Sequence, residues 1–242
     1  MKVVAIIQAR LGSTRLPGKV LVLLAGEPAL ARVVRRLARA RTLDEIVVAT
    51  TTRPADDEIE SFCDERGWLC SRGSEDDVLD RYYQAAIARE ADVVVRITSD
   101  CPLIEPIVVD RVVGEFLARY PEIDYVSNVA PQRTYPRGLD TEAVSMEALR
   151  RVWAEIRDAE YREHVTLYIR RHAETFRIHN VTNETDLSGM RWTVDTPEDL
   201  AFVRRIYDHF GNDTFSWQDV LAALEQHPEW LDINRHVQHK KV

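Results

Sequence analysis

The chain has 242 residues, 45% of them hydrophobic and 30% charged, with 40 acidic against 32 basic side chains for a formal charge of −8. At roughly 150 residues per domain this is one large domain. The acidic balance argues against general duplex binding, and the apolar content against disorder. No apolar run approaches the ~18 residues of a membrane span, and the apolar start at 1–7 is too short for a signal peptide. Cys63, Cys70 and Cys101 cannot all pair and form no C-x-x-C. The expectation is a reduced, cytoplasmic globular protein with no nucleic-acid partner and no membrane insertion.

In chain order, the β-branched run at 3–7 reads as a strand buried on both faces, and Leu30, Val33, Val34 and Leu37 set a helix over 28–41. A strand at 46–50, a helix at 56–66 ended by Gly67, a short strand at 68–70, a helix at 77–90, a strand at 93–97 and a helix at 107–119 follow. Strands alternating with helices of this length imply parallel βαβ units with right-handed crossovers. The pattern changes after Tyr125. Pro131, Pro136 and Gly138 interrupt it, helices are expected at 145–157 and 160–172, and strands return at 176–178 and 191–194. Helices at 197–210 and 217–226 close the fold, and the tail over 234–242, with His236, His239, Lys240 and Lys241, is expected to fray. The reading is a single α/β domain over 1–242, with a non-parallel insert at about 130–175 and a helical tail from about 215.

The richest stretch is QARLGSTRLPGK at 8–19, which leaves the carboxyl end of the first strand, where open α/β sheets bind ligands. Three cations, two hydroxyls and two glycines there suit phosphate oxygens. It is not a Walker A loop: Gly12 and Gly18 stand one residue too far apart, and Val20 replaces the metal-binding hydroxyl. No G-x-G-x-x-G is present.

The stretch resembles the R-x-x-S-x-R-L-P-G-K signature of the cytidylyltransferases that make CMP-sugars, among them the acylneuraminate and KDO enzymes. The similarity is greatest to the branch named after the spore coat polysaccharide biosynthesis protein SpsF. GSEDDVLDRYY at 73–83, RITSDCPL at 96–103 and WTVDTPEDL at 192–200 carry the resemblance on to about residue 210. It implies a three-layer, Rossmann-like nucleotide-diphospho-sugar transferase fold, with a mixed, mostly parallel sheet and an inserted dimerisation and sugar-binding segment.

By that resemblance Gln8, Ala9, Arg10, Gly12, Ser13, Thr14, Arg15 and Lys19 grip the triphosphate of CTP, with Arg15, Lys19 and Asp100 as catalytic residues. Arg72, Ser74, Arg81 and Thr98 complete the nucleotide site. Asp100 and Asp195, each at a strand end, are candidate ligands for Mg²⁺, which prefers one or two carboxylates plus phosphate oxygens. Asp195 can also be read as belonging to the helix cap at Thr196-Pro197, and Asp76, Asp77, Glu198 and Asp199 as first-turn acids. Arg137, Glu142, Arg162 and His164 would meet a sugar or sugar-acid acceptor. Val144, Leu149, Val152, Trp153 and Ile156 offer an apolar face for a homodimer. The expected activity is Mg²⁺-dependent transfer of CMP from CTP, releasing pyrophosphate and serving polysaccharide or glycan synthesis. The alternatives are a sugar-1-phosphate nucleotidyltransferase using another nucleotide, a glycosyltransferase of related fold, and a non-catalytic nucleotide-binding module. A glycosyltransferase usually carries Asp-x-Asp, which Thr98-Ser99-Asp100 is not.

Overall fold

The computed structural model describes residues 1–238. Val3–Gln8 (β1) lies inside a seven-stranded sheet. A small hairpin of Leu23–Leu24 (β2) and Glu27–Pro28 (β3) and the helix Ala29–Leu37 (α1) lead to Glu45–Thr51 (β4), parallel to β1. Asp57–Glu65 (α2) connects to Leu69–Gly73 (β5), parallel to β4. Val78–Ala88 (α3) then returns the chain to Val93–Thr98 (β6), parallel to β1 on its other side. The strand order therefore reverses between β1 and β6, the point at which such sheets open a crevice at their carboxyl ends.

Pro106–Arg119 (α4) precedes Tyr125–Ser127 (β7) and Glu142–Ser145 (β8). Three helices, Met146–Glu155 (α5), Ala159–Glu163 (α6) and Leu167–Arg171 (α7), then lead to Ile178–Asn180 (β9). Pro197–Phe210 (α8) and Trp217–Gln226 (α9) follow. The sheet order is β5-β4-β1-β6-β8-β7-β9, with β8 antiparallel to both neighbours and β9 parallel to β7. This is a mixed, mostly parallel sheet, as expected.

The period of two along β1 sorts the core into two layers. Val3, Ala5 and Ile7 pack in the cluster that includes residues of α1, α4, α8 and α9, while Val4 and Ile6 pack with those of α3 and α5. Tyr82 of α3 is wholly buried and donates its hydroxyl to the carbonyls of Ile6 and Ile97 at 3.1 and 3.0 Å. That ties α3 to β1 and β6 where they flank the crevice.

Four expectations are corrected. The helix expected over 160–172 is two short helices, because the chain leaves helical geometry at His164 and the Thr166 hydroxyl donates to Glu142 at 2.5 Å. The strand expected at 191–194 is a single bridge between Arg137 and Arg191. The returning strand at 176–178 begins instead at Ile178. The apolar face proposed for a homodimer packs inside the subunit: Val144, Leu149 and Val152 are buried, and Trp153 stacks on Tyr83 at 4.1 Å while donating to Asp80 at 2.7 Å. The start of the tail is also held, since the buried Asn234 amide donates to the Arg191 carbonyl at 2.9 Å. His239, Lys240 and Lys241 lie outside the described residues.

Candidate active site

The loop after β1 is pinned at both ends. The buried Asp56 carboxylate accepts the Leu11 amide at 2.8 Å and the Thr51 hydroxyl, and Gly18, at φ 69°, turns the chain so that Lys19 points back over the sheet edge. A second approach brings Asp195 to the same place. Gly138 sits so close to the following segment that a Cβ there would lie 2.8 Å from the Trp192 carbonyl group. The Trp192 amide donates to the Arg137 carbonyl at 2.8 Å, and the Val194 amide to the Asp100 carbonyl at 2.8 Å. Asp100 and Asp195, far apart in sequence, thus face each other across Lys19.

The Lys19 ammonium stands 2.7 Å from Asp195 Oδ1 and 3.4 Å from Asp100 Oδ2. Arg15 reaches Asp195 Oδ2 at 3.1 Å, and Arg191 reaches the same oxygen at 3.0 Å. Burial alone would lower the Lys19 pKa, but the two carboxylates outweigh it and raise it. Burial alone would raise Asp100, yet Lys19 and the Thr98 hydroxyl bring it below its ordinary range. Lys19 and Asp100 are therefore both charged at neutral pH.

Arg15, Lys19, Thr98, Asp100 and Asp195 line a cleft of about 760 Å³. Of the expected nucleotide-site residues it gathers Gln8, Ala9, Arg10, Gly12, Ser13, Thr14, Arg15, Lys19, Arg81, Thr98 and Asp100, along with Asp195 and His164. Arg81 is 2% exposed; it donates to the Ser74 carbonyl at 2.7 Å, while its Nε has no hydrogen-bond partner among the described residues. Sequence reading passed over Glu75, which accepts from Arg10 at 3.1 Å and from Arg53 at 2.5 Å, and Glu163 at the opposite lip. Only three-dimensional proximity distinguishes these acids from ordinary surface ones.

Three expected residues are not brought to the cleft wall. Arg72 is taken up by Asp57, Glu60 and the carbonyls of Thr51 and Arg53. Ser74 accepts the Asp77 amide at 3.0 Å as part of the turn into α3. Arg162 grips Asp77 with two nitrogens, at 2.9 and 2.5 Å, and donates to the Trp153 carbonyl, so it clamps the segment after α5 onto α3.

Arg137 and Glu142 line a neighbouring cavity of about 690 Å³, which shares Thr98 and His164 with the cleft. Glu142 is buried and accepts from Arg96, Tyr125 and Thr166. Burial pushes its carboxyl up, but Arg96 and Arg170 prevail and set it at about 2, against an ordinary 4.5. The stability this contributes is fully present above pH 4.5 and is lost as pH falls toward about 2. Glu142→Gln, compared with wild type by melting temperature against pH, should show a shallower loss across that window; an identical slope would be inconsistent with the pairing.

Asp199 is more than a first-turn acid. It closes the capping box of α8 with Thr196 and, fully buried, accepts two bonds from Arg191 at 2.8 Å each, one from Asn234 at 3.0 Å and one from the Asp195 amide at 3.1 Å. It is the support on which Asp195 rests.

A phosphate-suited loop, converging carboxylates and a crevice at the strand-order switch define an α/β nucleotidyltransferase. Residues 4–226 match the cytidylyltransferase family model, and the chain belongs to that family. It is 32% identical to the spore coat polysaccharide biosynthesis protein SpsF of Bacillus subtilis, over 93% of this chain and 94% of the relative. The solved structure of a cytidylyltransferase from Leptospira borgpetersenii superposes over the whole of both chains with a TM-score of 0.92 at 33% identity. A structure of CMP:2-keto-3-deoxy-manno-octonic acid synthetase complexed with CTP shares the fold at 21% identity, with a TM-score of 0.65 over 86% of this chain and 99% of that one. Among the described residues no helix is long and apolar enough to cross a membrane.

Proposed function

We propose that this enzyme transfers CMP from CTP to a hydroxyl of a sugar or sugar-acid acceptor, in the synthesis of a surface polysaccharide or glycan. The acceptor hydroxyl gives its proton to solvent as its oxygen bonds to the α-phosphorus, while the bond to the bridging oxygen breaks and pyrophosphate leaves. The observation that carries this reading is the convergence of Arg15, Lys19, Asp100 and Asp195 on one point of the cleft. Such transfer depends on positioning and charge neutralisation rather than on a covalent residue. Arg15 and Lys19 would hold phosphate oxygens, and Arg10, Ser13 and the amides of the loop would orient the rest of the triphosphate. Membership of the cytidylyltransferase family supports CTP as the nucleotide, and a structure of the same fold is a complex with CTP.

The cleft wall carries four cations, Arg10, Arg15, Lys19 and Arg81, against five carboxylates, Glu75, Asp76, Asp100, Glu163 and Asp195. A wall that is net negative cannot neutralise a triphosphate by itself. Two carboxylates that reach a common point suit a hard divalent cation, and Asp100 and Asp195 would hold Mg²⁺. When bound, the metal supplies positive charge toward the phosphate oxygens. A carboxylate held as acidic as Asp100 suits a metal ligand better than a general base. The cavity beyond Thr98, with Arg137, Glu142 and His164, would take the acceptor. This reading does not rest on a homodimer, since most of the face that suggested one packs within the subunit, with Trp153 and Ile156 partly buried.

Calorimetric titration of the four ribonucleoside triphosphates with Mg²⁺ tests it. CTP should bind most tightly; equal or tighter binding of ATP, GTP or UTP would overturn the choice of nucleotide and leave nucleotidyl transfer standing.

A further inference from the structure

Glu75, the acid in the cleft wall that sequence reading passed over, touches the phosphate-suited loop at two points. Its Oε1 accepts from Arg10 Nη1 at 3.1 Å, and a Cβ on Gly12 would lie 3.5 Å from the same oxygen. Leu11, between them, is itself held through its amide by Asp56 at 2.8 Å. The carboxylate therefore lies against the backbone of the loop as well as against its first cation. Its other oxygen accepts from Arg53 Nε at 2.5 Å, out of the loop that follows β4. Glu75 is thus held from two sides with 22% of its side chain exposed, whereas Arg10 is 47% exposed.

The other two cations of the loop rest on the candidate metal ligands, Arg15 on Asp195 and Lys19 on Asp195 and Asp100. Among the described residues the ion-pair partner of Arg10 is Glu75. A pair this exposed contributes little to folding. Its value lies in order: an arginine half in water samples many rotamers, and fixing such a side chain is one of the costs of binding. The contact engages one nitrogen of Arg10, so the rest of its donor fork can meet phosphate oxygens without releasing Glu75. Two guanidiniums on one carboxylate leave the trio with a net positive charge toward an anion. We propose that Glu75 is a positioning residue of the nucleotide site: it holds Arg10 ready for the β- and γ-phosphates and so favours the triphosphate over the monophosphate of the same base. This deepens the nucleotide site proposed above and rests on that reading. Charge counting alone gives the opposite sign, since deleting a carboxylate beside a triphosphate should tighten binding.

The test is calorimetric titration, with Mg²⁺, of CTP, CMP and inorganic tripolyphosphate into wild type, Glu75→Ala, Arg10→Met and the double variant. Glu75→Ala should weaken CTP by about three-fold or more, the scale of fixing one long side chain, and leave CMP unchanged. In the Arg10→Met background the same change should leave CTP affinity unaltered, because nothing remains for Glu75 to position. The proposal is overturned if Glu75→Ala binds CTP as tightly as wild type or more tightly. It is equally overturned if CMP weakens as much as CTP, or if the loss persists undiminished in the double variant. Tripolyphosphate separates this outcome from the nucleotide reading. A wild type that binds tripolyphosphate but not CTP would defeat that reading, and the same three-fold loss, read on tripolyphosphate, would still decide the proposal. A wild type that binds neither would defeat both.

Discussion

Asp100→Asn should lower CTP-dependent pyrophosphate release by ~10²–10³-fold, the scale of losing one electrostatic stabiliser of the transition state. The substitution keeps the shape of the side chain and its contact with the Thr98 hydroxyl but removes the charge that faces Lys19. Asp195→Asn should cost at least as much, because Lys19, Arg15 and Arg191 all converge on that carboxylate. Initial rates at saturating Mg²⁺, taken beside melting temperatures, separate lost chemistry from lost folding. Near-wild-type rates in both variants would remove the two carboxylates from the mechanism.

The largest effect on stability is expected at Asp199. It is fully buried and Arg191 nearly so, and truncating Asp199 strips that buried guanidinium of two hydrogen bonds, its contact with Asp195 remaining. Asp199→Ala should therefore cost about 3–5 kcal/mol, lowering the melting temperature by roughly 6–20 °C for a chain of this size. The Asp195 and Thr196 amides would lose their acceptor as well, so activity should fall together with stability. Calorimetric melting of the variant checks this. A shift under about 2 °C would show that the buried pair contributes little, the 2 °C being the scale of about 0.5–1 kcal/mol.

The sequence alone reveals the α/β half of the molecule, because buried parallel strands there are uninterrupted β-branched runs and the helices between them are long. It does not reveal β7 and β8. Tyr125–Ser127 and Glu142–Ser145 are too short for a periodic signal and are separated by prolines; pairing of β8 with β6, and of β7 with β8 and β9, is what makes them strands. Tertiary bonding likewise overrides local preference at 160–172, where Thr166 turns to Glu142.

The site divides in the same way. The 8–19 loop and Asp100 are legible because cations and carboxylates at the carboxyl ends of strands must converge when the sheet forms; Asp195 is legible through the motif at 192–200, since 191–194 forms only a bridge. Arg72 and Arg162 misled because their charge is visible in the sequence while the carboxylates that claim them are not. Asp199 was underrated for the reverse reason. Its cap motif is local and readable, but Arg191 and Asn234 reach it through the fold. Arg170 looks like one more basic residue on a short helix until the fold sets it in the wall of the cavity that Arg137 also lines.

The central claim is that the cleft around Lys19 is the nucleotide site. Calorimetric titration of CTP with Mg²⁺ into wild type and Lys19→Met, side by side, tests it most directly. Lys19 is the cation placed between Asp100 and Asp195, and a charge-assisted bond from it to a phosphate oxygen has no substitute in methionine. The account predicts saturable one-site binding by the wild type and affinity weakened by about ten-fold or more in the variant. Equal affinity in two equally folded proteins would contradict it.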